Sequence, residues 1–222
     1  MNKLNHIAFI MDGNGRWGRK KGRTRNFGHL KGVEAVRKIV KSCIKLKVPI
    51  ITFYVFSSEN WKRPKSEIQY LFNLIKNYFI KESLSIVNQG ININIFGKIN
   101  NLPSEIKVIL KKIMSSTKNN KRIIVNLAIN YGSRDEIVDA CNKVKKKVNI
   151  KSLSKGLYTK NIANPDILIR TGGHKRLSNF MLWQLAYTEI YFIDKLWPDF
   201  SGTDFDKIIS NFKKVKRNFG SI

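Results

Sequence analysis

Asp12-Gly-Asn-Gly-Arg16 places a carboxylate, two glycines and a guanidinium within five residues, directly behind the apolar run His6–Met11 and ahead of the basic run Arg19-Lys-Lys21. Gly13, Gly15 and Gly18 spell G-x-G-x-x-G, a spacing that lets backbone N–H groups approach a phosphate at a helix start. The carboxylate is the anomaly. At about 4 Å from a phosphate charge it would be repelled by roughly 4 kcal/mol in an effective dielectric of about 20. A divalent ion between the two reverses the sign, and Mg²⁺ commonly binds through one or two carboxylates together with substrate phosphates. Asp12 therefore reads as part of a magnesium–diphosphate site, with a capping or buried aspartate as the alternative. A dinucleotide fold would put an acidic residue about 20 positions beyond the glycines. Here the second apolar run ends only at Phe56, followed by Ser57-Ser58-Glu59.

The elements that position these residues follow from patterning. Apolar, β-branched runs at His6–Met11, Pro49–Phe56, Ile91–Gly97, Arg122–Ile129, Asp166–Arg170 and Glu189–Ile193 predict strands, several apolar throughout as buried parallel strands are. Helical patterns lie near Phe27–Lys47, Ser66–Asn88, Ser104–Lys118, Arg134–Lys147 and Thr203–Asn218; Pro64 and Pro103 mark two starts. Asn149–Pro165 reads as a long connection. The alternation predicts a single α/β domain over residues 1–222, with a mainly parallel six-stranded sheet flanked by helices. Asp12–Arg16, Ser57–Arg63, Asn130–Gly132 and Arg170–Gly173 each follow a predicted strand, so four polar segments converge on one rim, where open parallel sheets bind ligands.

Composition bounds the partners. Lys and Arg number 42 against 15 Asp and Glu, a net charge of +27, which favours a polyanionic partner: phosphorylated substrates, an anionic membrane face or nucleic acid. Runs such as Lys143-Val-Lys-Lys-Lys147 are equally explained as solvated compositional bias. Two cysteines are too few for a disulfide framework, and no leader-like segment opens the chain, so a reducing cytoplasm is expected. No apolar run approaches the roughly 20 residues that span a bilayer, so any membrane contact is expected to be peripheral.

Six stretches in order, HIAFIMDGNGRW (His6–Trp17), FGHLKG (Phe27–Gly32), FYVFSSENWKRP (Phe53–Pro64), NYGSRDEI (Asn130–Ile137), the segment Pro165–Phe192 and WPDF (Trp197–Phe200), resemble the cis-prenyltransferases, notably the bacterial undecaprenyl diphosphate synthases. The likeness runs from His6 to Gly220. It implies sequential condensation of isopentenyl diphosphate onto an allylic diphosphate such as farnesyl diphosphate, with Mg²⁺ as cofactor, by a homodimer. The product would be a polyprenyl diphosphate such as undecaprenyl diphosphate, a lipid-carrier precursor for cell-wall glycan synthesis.

Carried over residue by residue, Asp12 holds the metal and assists departure of diphosphate, with Glu189 as a second metal carboxylate. Gly13, Asn14, Gly15, Arg16, Arg25 and His29 belong to the allylic site, Arg170, Arg176 and Ser178 belong to the isopentenyl site, and Trp17 is a further substrate-binding residue. Ser57, Ser58, Glu59, Asn60, Trp61 and Arg63 form a mobile substrate-covering loop in which Asn60 is a catalytic candidate. Asn60, Ser57, His29 and Asp12 all remain candidates for orienting the second substrate or relaying its proton.

Ile68, Leu71, Phe72, Ile75, Tyr78 and Phe79 recur at helical spacing and, with Val55, line either a product tunnel or the core. His174 stands where the bacterial motif has glutamate, and Arg217–Gly220 resembles a segment that reaches toward a partner subunit. A nucleic-acid module would gain nothing from carboxylates at its phosphate site, so no nucleic-acid partner is expected.

Overall fold

The computed structural model describes residues 2–145 and 147–217. Among these residues six strands form one sheet: β1 (His6–Ile10), β2 (Ile50–Ser57), β3 (Ile91–Phe96), β4 (Ile123–Tyr131), β5 (Ile167–Arg170) and β6 (Glu189–Phe192), in the order β3-β4-β2-β1-β5-β6. All five pairings are parallel. The central strands therefore bury both faces, and successive residues of β1 serve two cores. Ile7 and Phe9 join Ile51, Phe53, Trp197 and Phe205 on one face. Ala8 and Ile10 join Ala128, Leu168 and Phe180 on the other.

Among the described residues seven α-helices flank the sheet: α1 (Asn14–Lys20), α2 (Arg25–Lys45), α3 (Lys65–Asn88), α4 (Ser104–Thr117), α5 (Ser133–Lys143), α6 (Ile150–Gly156) and α7 (Gly202–Lys214). Helix α2 starts where Thr24 accepts the Phe27 N–H, and α7 starts on a reciprocal Ser201–Asp204 cap.

Two expectations change. The segment expected to be a bare connection opens with α6, capped reciprocally by Asn149 and Ser152, while Leu153 packs beneath α5 with Ala140. The helix expected to run to Lys147 ends at Lys143, because clustered lysines gain nothing from being wound together at its C-terminus. Of the segment expected to reach a partner, residues 218–220 lie outside the described residues. Arg217 folds back on its own chain, donating to Asp166 at 2.9 Å and to the Tyr187 carbonyl at 2.8 Å.

A polar ladder crosses the sheet interior. His6 Nδ1 donates to the Ala163 carbonyl at 2.5 Å, and Thr52 donates to His6 Nε2 at 2.7 Å. Asn126 donates to Thr52 at 3.1 Å and Asn94 to Asn126 at 2.8 Å, so each group finds a partner without water.

Candidate active site

Beyond β1 the chain turns at Gly13, whose φ of 107° is strained for any side chain and whose Cβ would meet Leu196 at 2.7 Å. This turn delivers Asp12 to the rim and starts α1 immediately after it. The Asp12 carbonyl is pinned by the Thr171 hydroxyl at 2.8 Å and the Trp197 N–H at 3.0 Å. Its carboxylate receives Arg170 at 3.0 Å and Arg16 at 3.3 Å. Arg16 also donates to the Gly172 carbonyl at 2.7 Å.

Arg170 is no surface charge: its side chain is 4% exposed. It donates to Ser178 Oγ at 2.7 Å and to the Arg176 carbonyl, while its Nε is buried without a partner. Gly172, Gly173, Ser178, Asn179 and Met181 all have positive φ. At the three non-glycine positions that conformation costs roughly 1 kcal/mol each, strain of the kind that persists where a site over-determines the backbone. The Arg176 side chain itself is exposed on this strained segment.

A second cationic group gathers on Glu67, which sequence reasoning missed. Arg25 binds it through Nε and Nη2, both at 3.0 Å, and Arg63 donates at 3.1 Å. Burial opposes ionisation of Glu67, but the Arg25 hydrogen bond and the surrounding positive charge hold its pKa below the ordinary glutamate value. Burial, then the Arg63 charge, push the pKa of His29 down to about 4. The neutral ring stands 3.5 Å from Glu67, with Nε2 buried and lacking a hydrogen-bond partner. The Arg63–Glu67 spacing of one helical turn is the signal that could have found Glu67.

The expected loop is a short 3-10 turn, Ser58–Lys62, launched by an irregularity in β2 between Tyr54 and Ser57. Asn60 closes it by accepting the Ser57 N–H at 3.2 Å. Trp61 donates to Asn130 at 2.8 Å and packs on Phe56 and Phe72. Glu59 accepts from Asn179 at 2.8 Å, and Ser58 lies against Gly132, tying the turn to the strained segment carrying Ser178.

Not every expected residue reaches this rim. In the strand register Glu189 pairs with Ile167, while Arg170 pairs with Phe192. Glu189 thus lies three positions back along β6, about 10 Å from the rim at ~3.3 Å per residue. Its carboxylate faces Arg217 at 3.9 Å, so the structure does not join it to Asp12. Trp17 points outward, donating to Asp199 at 2.7 Å and stacking on Phe27.

Among the described residues no three His, Cys, Asp or Glu side chains are arranged to hold a metal. A lone rim carboxylate nevertheless fits a Mg²⁺ ion completed by substrate phosphates and water. Asp12 is the residue that would hold it.

From the rim an apolar cavity of about 140 Å³ descends between the sheet and helices α2 and α3. Met11, Asn14 and His29 lie at its upper end, and Val55, Leu71, Ile75, Tyr78 and Phe79 line it. The expected stripe divides here: Ile68 and Phe72 are instead buried in the core.

An arginine-lined rim opening onto an apolar cavity has the form expected of a transferase whose substrates carry an anionic head and a hydrocarbon tail. A family model described as "Putative undecaprenyl diphosphate synthase" matches residues 10–220. The chain belongs to this cis-prenyltransferase family. It is 42% identical to an isoprenyl transferase of Fusobacterium nucleatum, covering 98% of this chain and 96% of that one. An isoprenyl transferase of Aquifex aeolicus is 40% identical over the same shares. Among solved structures, lavandulyl diphosphate synthase from Lavandula x intermedia, in complex with dimethylallyl diphosphate, superposes with a TM-score of 0.93 at 31% identity, covering 98% of each chain. A probable undecaprenyl diphosphate synthase from Campylobacter jejuni superposes at 0.86 with 32% identity, covering 100% of each.

Proposed function

We propose that this prenyltransferase condenses isopentenyl diphosphate repeatedly onto an allylic diphosphate, with farnesyl diphosphate as starter, and releases a polyprenyl diphosphate of the undecaprenyl type. The observation that carries this reading is the position of the cavity mouth: the apolar channel begins at Asn14 and His29, beside the anion-binding turn. A diphosphate held on the Gly13–Gly15 amides would therefore direct its hydrocarbon tail into the channel. The lavender relative, whose structure holds dimethylallyl diphosphate, supports an allylic diphosphate as substrate.

In each cycle the allylic carbon–oxygen bond breaks, a carbon–carbon bond forms to isopentenyl diphosphate, and one proton leaves. Arg16, Arg25 and His29 bind and orient the departing diphosphate. Arg170, Arg176 and Ser178 bind the second diphosphate, which suits the paired donors of a planar guanidinium. Asp12 would hold Mg²⁺ together with the substrate phosphates, and the ion would supply positive charge against the negative charge that develops on the leaving group. The Ser57–Arg63 turn covers the site and excludes water, with Asn60 orienting the second substrate. Glu189, placed away from Asp12, assists only if substrate binding or a second subunit brings it closer.

The protein is read as one catalytic unit that acts in the cytoplasm as a homodimer and touches the membrane face peripherally during product release. Among the described residues no helix is long and apolar enough to cross a membrane. The test is incubation with farnesyl diphosphate, labelled isopentenyl diphosphate and Mg²⁺, with and without chelator. Labelled polyprenyl products that vanish with chelator are expected; equal product under both conditions would remove the metal role, and none under either would remove the function.

A further inference from the structure

Two side-chain contacts, one on each side of Asn60, tie the covering turn to the rest of the protein. Glu59 accepts from Asn179 at the exposed surface, where water competes for both partners. On the other side the Trp61 indole N–H donates to Asn130 Oδ1 at 2.8 Å, while its ring packs on Phe56 and Phe72. Asn130 is 5% exposed and stands one residue before the end of β4 with a φ of 49°, in the left-handed region. For a residue with a side chain that conformation costs roughly 1 kcal/mol. Glycine would take it freely, so the backbone alone does not call for asparagine.

What asparagine adds is a carboxamide whose two ends are used differently. Its Nδ2 donates to the Lys98 carbonyl at 2.8 Å, and the Lys98 N–H donates back to the Asn130 carbonyl at 3.0 Å. Lys98 is brought there by Gly97, whose φ is 130° and where a Cβ would meet the Ile129 carbonyl at 2.1 Å. With the NH2 end committed to Lys98, Oδ1 faces Trp61, and an indole N–H donates and never accepts. A reversed amide would set oxygen against oxygen at Lys98 and N–H against N–H at Trp61. The orientation is therefore fixed from both sides, and the ends of β3 and β4 together present one aimed acceptor to the turn.

We propose that Asn130 is a positioning residue for the second substrate: it sets the seat of Trp61 and, through it, the place of the neighbouring Asn60. The proposal rests on the polyprenyl-transfer reading above, in which Asn60 orients isopentenyl diphosphate. Asn130 acts on the reaction through Trp61 and not by touching substrate. Asparagine combines tolerance of the left-handed region with a donor and an acceptor on one short side chain, which accounts for a strained φ that glycine would have relieved.

The experiment is a double-mutant cycle on the full chain. Asn130→Gly keeps the backbone conformation and removes the carboxamide. Trp61→Phe removes the N–H and keeps an aromatic ring at an exposed position, so it keeps the proposal testable should Asn130→Gly fail to fold. Steady-state kinetics with farnesyl diphosphate, labelled isopentenyl diphosphate and Mg²⁺ are measured beside amide hydrogen exchange of residues 57–63. Each single variant should raise KM for isopentenyl diphosphate about tenfold, the upper scale of one lost hydrogen bond, and move KM for the allylic substrate less than about twofold. The double variant should be no worse than either single one, because the same contact is lost once. Exchange of the 57–63 amides should quicken to a similar extent in all three variants. Wild-type turnover with KM unmoved in both single variants would overturn the positioning role alone. A double variant near a hundredfold, the product of two independent losses, would also overturn it. So would equal rises for both substrates, which mark a loosening of the whole site. A wild-type chain that makes no polyprenyl product would remove the underlying function and the positioning role with it.

Discussion

At the scale of single residues, the site is a set of cations waiting for anions and held in place by two carboxylates that are not equivalent. Asp12 is partly exposed and pins the buried Arg170, so Asp12→Ala leaves that guanidinium with an uncompensated charge. Because the carboxylate is a quarter exposed, we expect a stability loss of about 1–3 kcal/mol, below the range for a fully buried pair. Turnover should fall by about 100-fold or more, the scale seen when one preorganised electrostatic partner is removed. Labelled-product assays beside urea melts separate the two effects; undiminished turnover would dismiss Asp12 from the chemistry. Glu67 acts differently, since it holds Arg25 and Arg63 together beside the neutral His29 ring. Glu67→Gln should raise KM for the allylic diphosphate about tenfold, ~1.4 kcal/mol, while kcat changes less. A fall confined to kcat would place Glu67 in the transition state instead of in preorganisation.

At the scale of elements, the sheet carries a pH dependence of its own. Burial pushes the pKa of His6 down to about 4 within the ladder from Ala163 through Thr52, although the Ala163 hydrogen bond and the Asp166 charge oppose it. The unfolded ring takes a proton near pH 6.5 while the folded one refuses it until about pH 4. Stability is therefore full above pH 6.5 and drains as pH falls through that window, by an amount on the order of 3 kcal/mol. His29 contributes a decline in the same direction, so the variant His6→Phe is the discriminating measurement. It should be less stable than wild type at pH 7.5, because Thr52 and the Ala163 carbonyl lose their partner, yet lose less stability on going to pH 5. Equal acid slopes in urea unfolding would reject the assignment. The strands that hold this ladder were legible in the sequence because isoleucine-rich runs bounded by polar turns have few other homes, and the rim was legible because four polar segments each followed a strand. Helix α6 was not legible: its seven residues bury only Leu153, too little for periodicity to register. Glu67 was hidden by its place in the first turn of α3, where an acidic residue is ordinary helix-start chemistry. The separation of Glu189 from Asp12 depends on strand register, and the division of Leu71 and Ile75 from Ile68 and Phe72 depends on which side of α3 meets the cavity. Neither is a property of local spacing.

At the scale of the whole molecule, a net charge of +27 on 222 residues means that folding gathers like charges at a cost that salt can relieve. Much of the excess is lysine on exposed helix faces, where no counter-charge meets it; Lys41, Lys81, Lys111 and Lys112 are examples. The arginines at the rim form a second, local reservoir of the same sign, and this one is organised. Two kinds of anion should therefore stabilise the protein to different degrees. Sodium chloride, raised from about 10 mM to about 150 mM, shortens the screening length from ~30 Å to ~8 Å and should raise the melting temperature gradually through the diffuse charge. Inorganic diphosphate at matched ionic strength should raise it further, by mass action at the rim, and that extra increment should saturate with concentration. The same increment should shrink in Asp12→Ala with Mg²⁺ present and collapse when Arg170 is replaced by alanine, whereas the chloride response should survive both changes. Melting curves across the two titrations decide the matter. If chloride and diphosphate coincide at equal ionic strength, the protein holds its positive charge only as a diffuse cloud, and the rim is no diphosphate site.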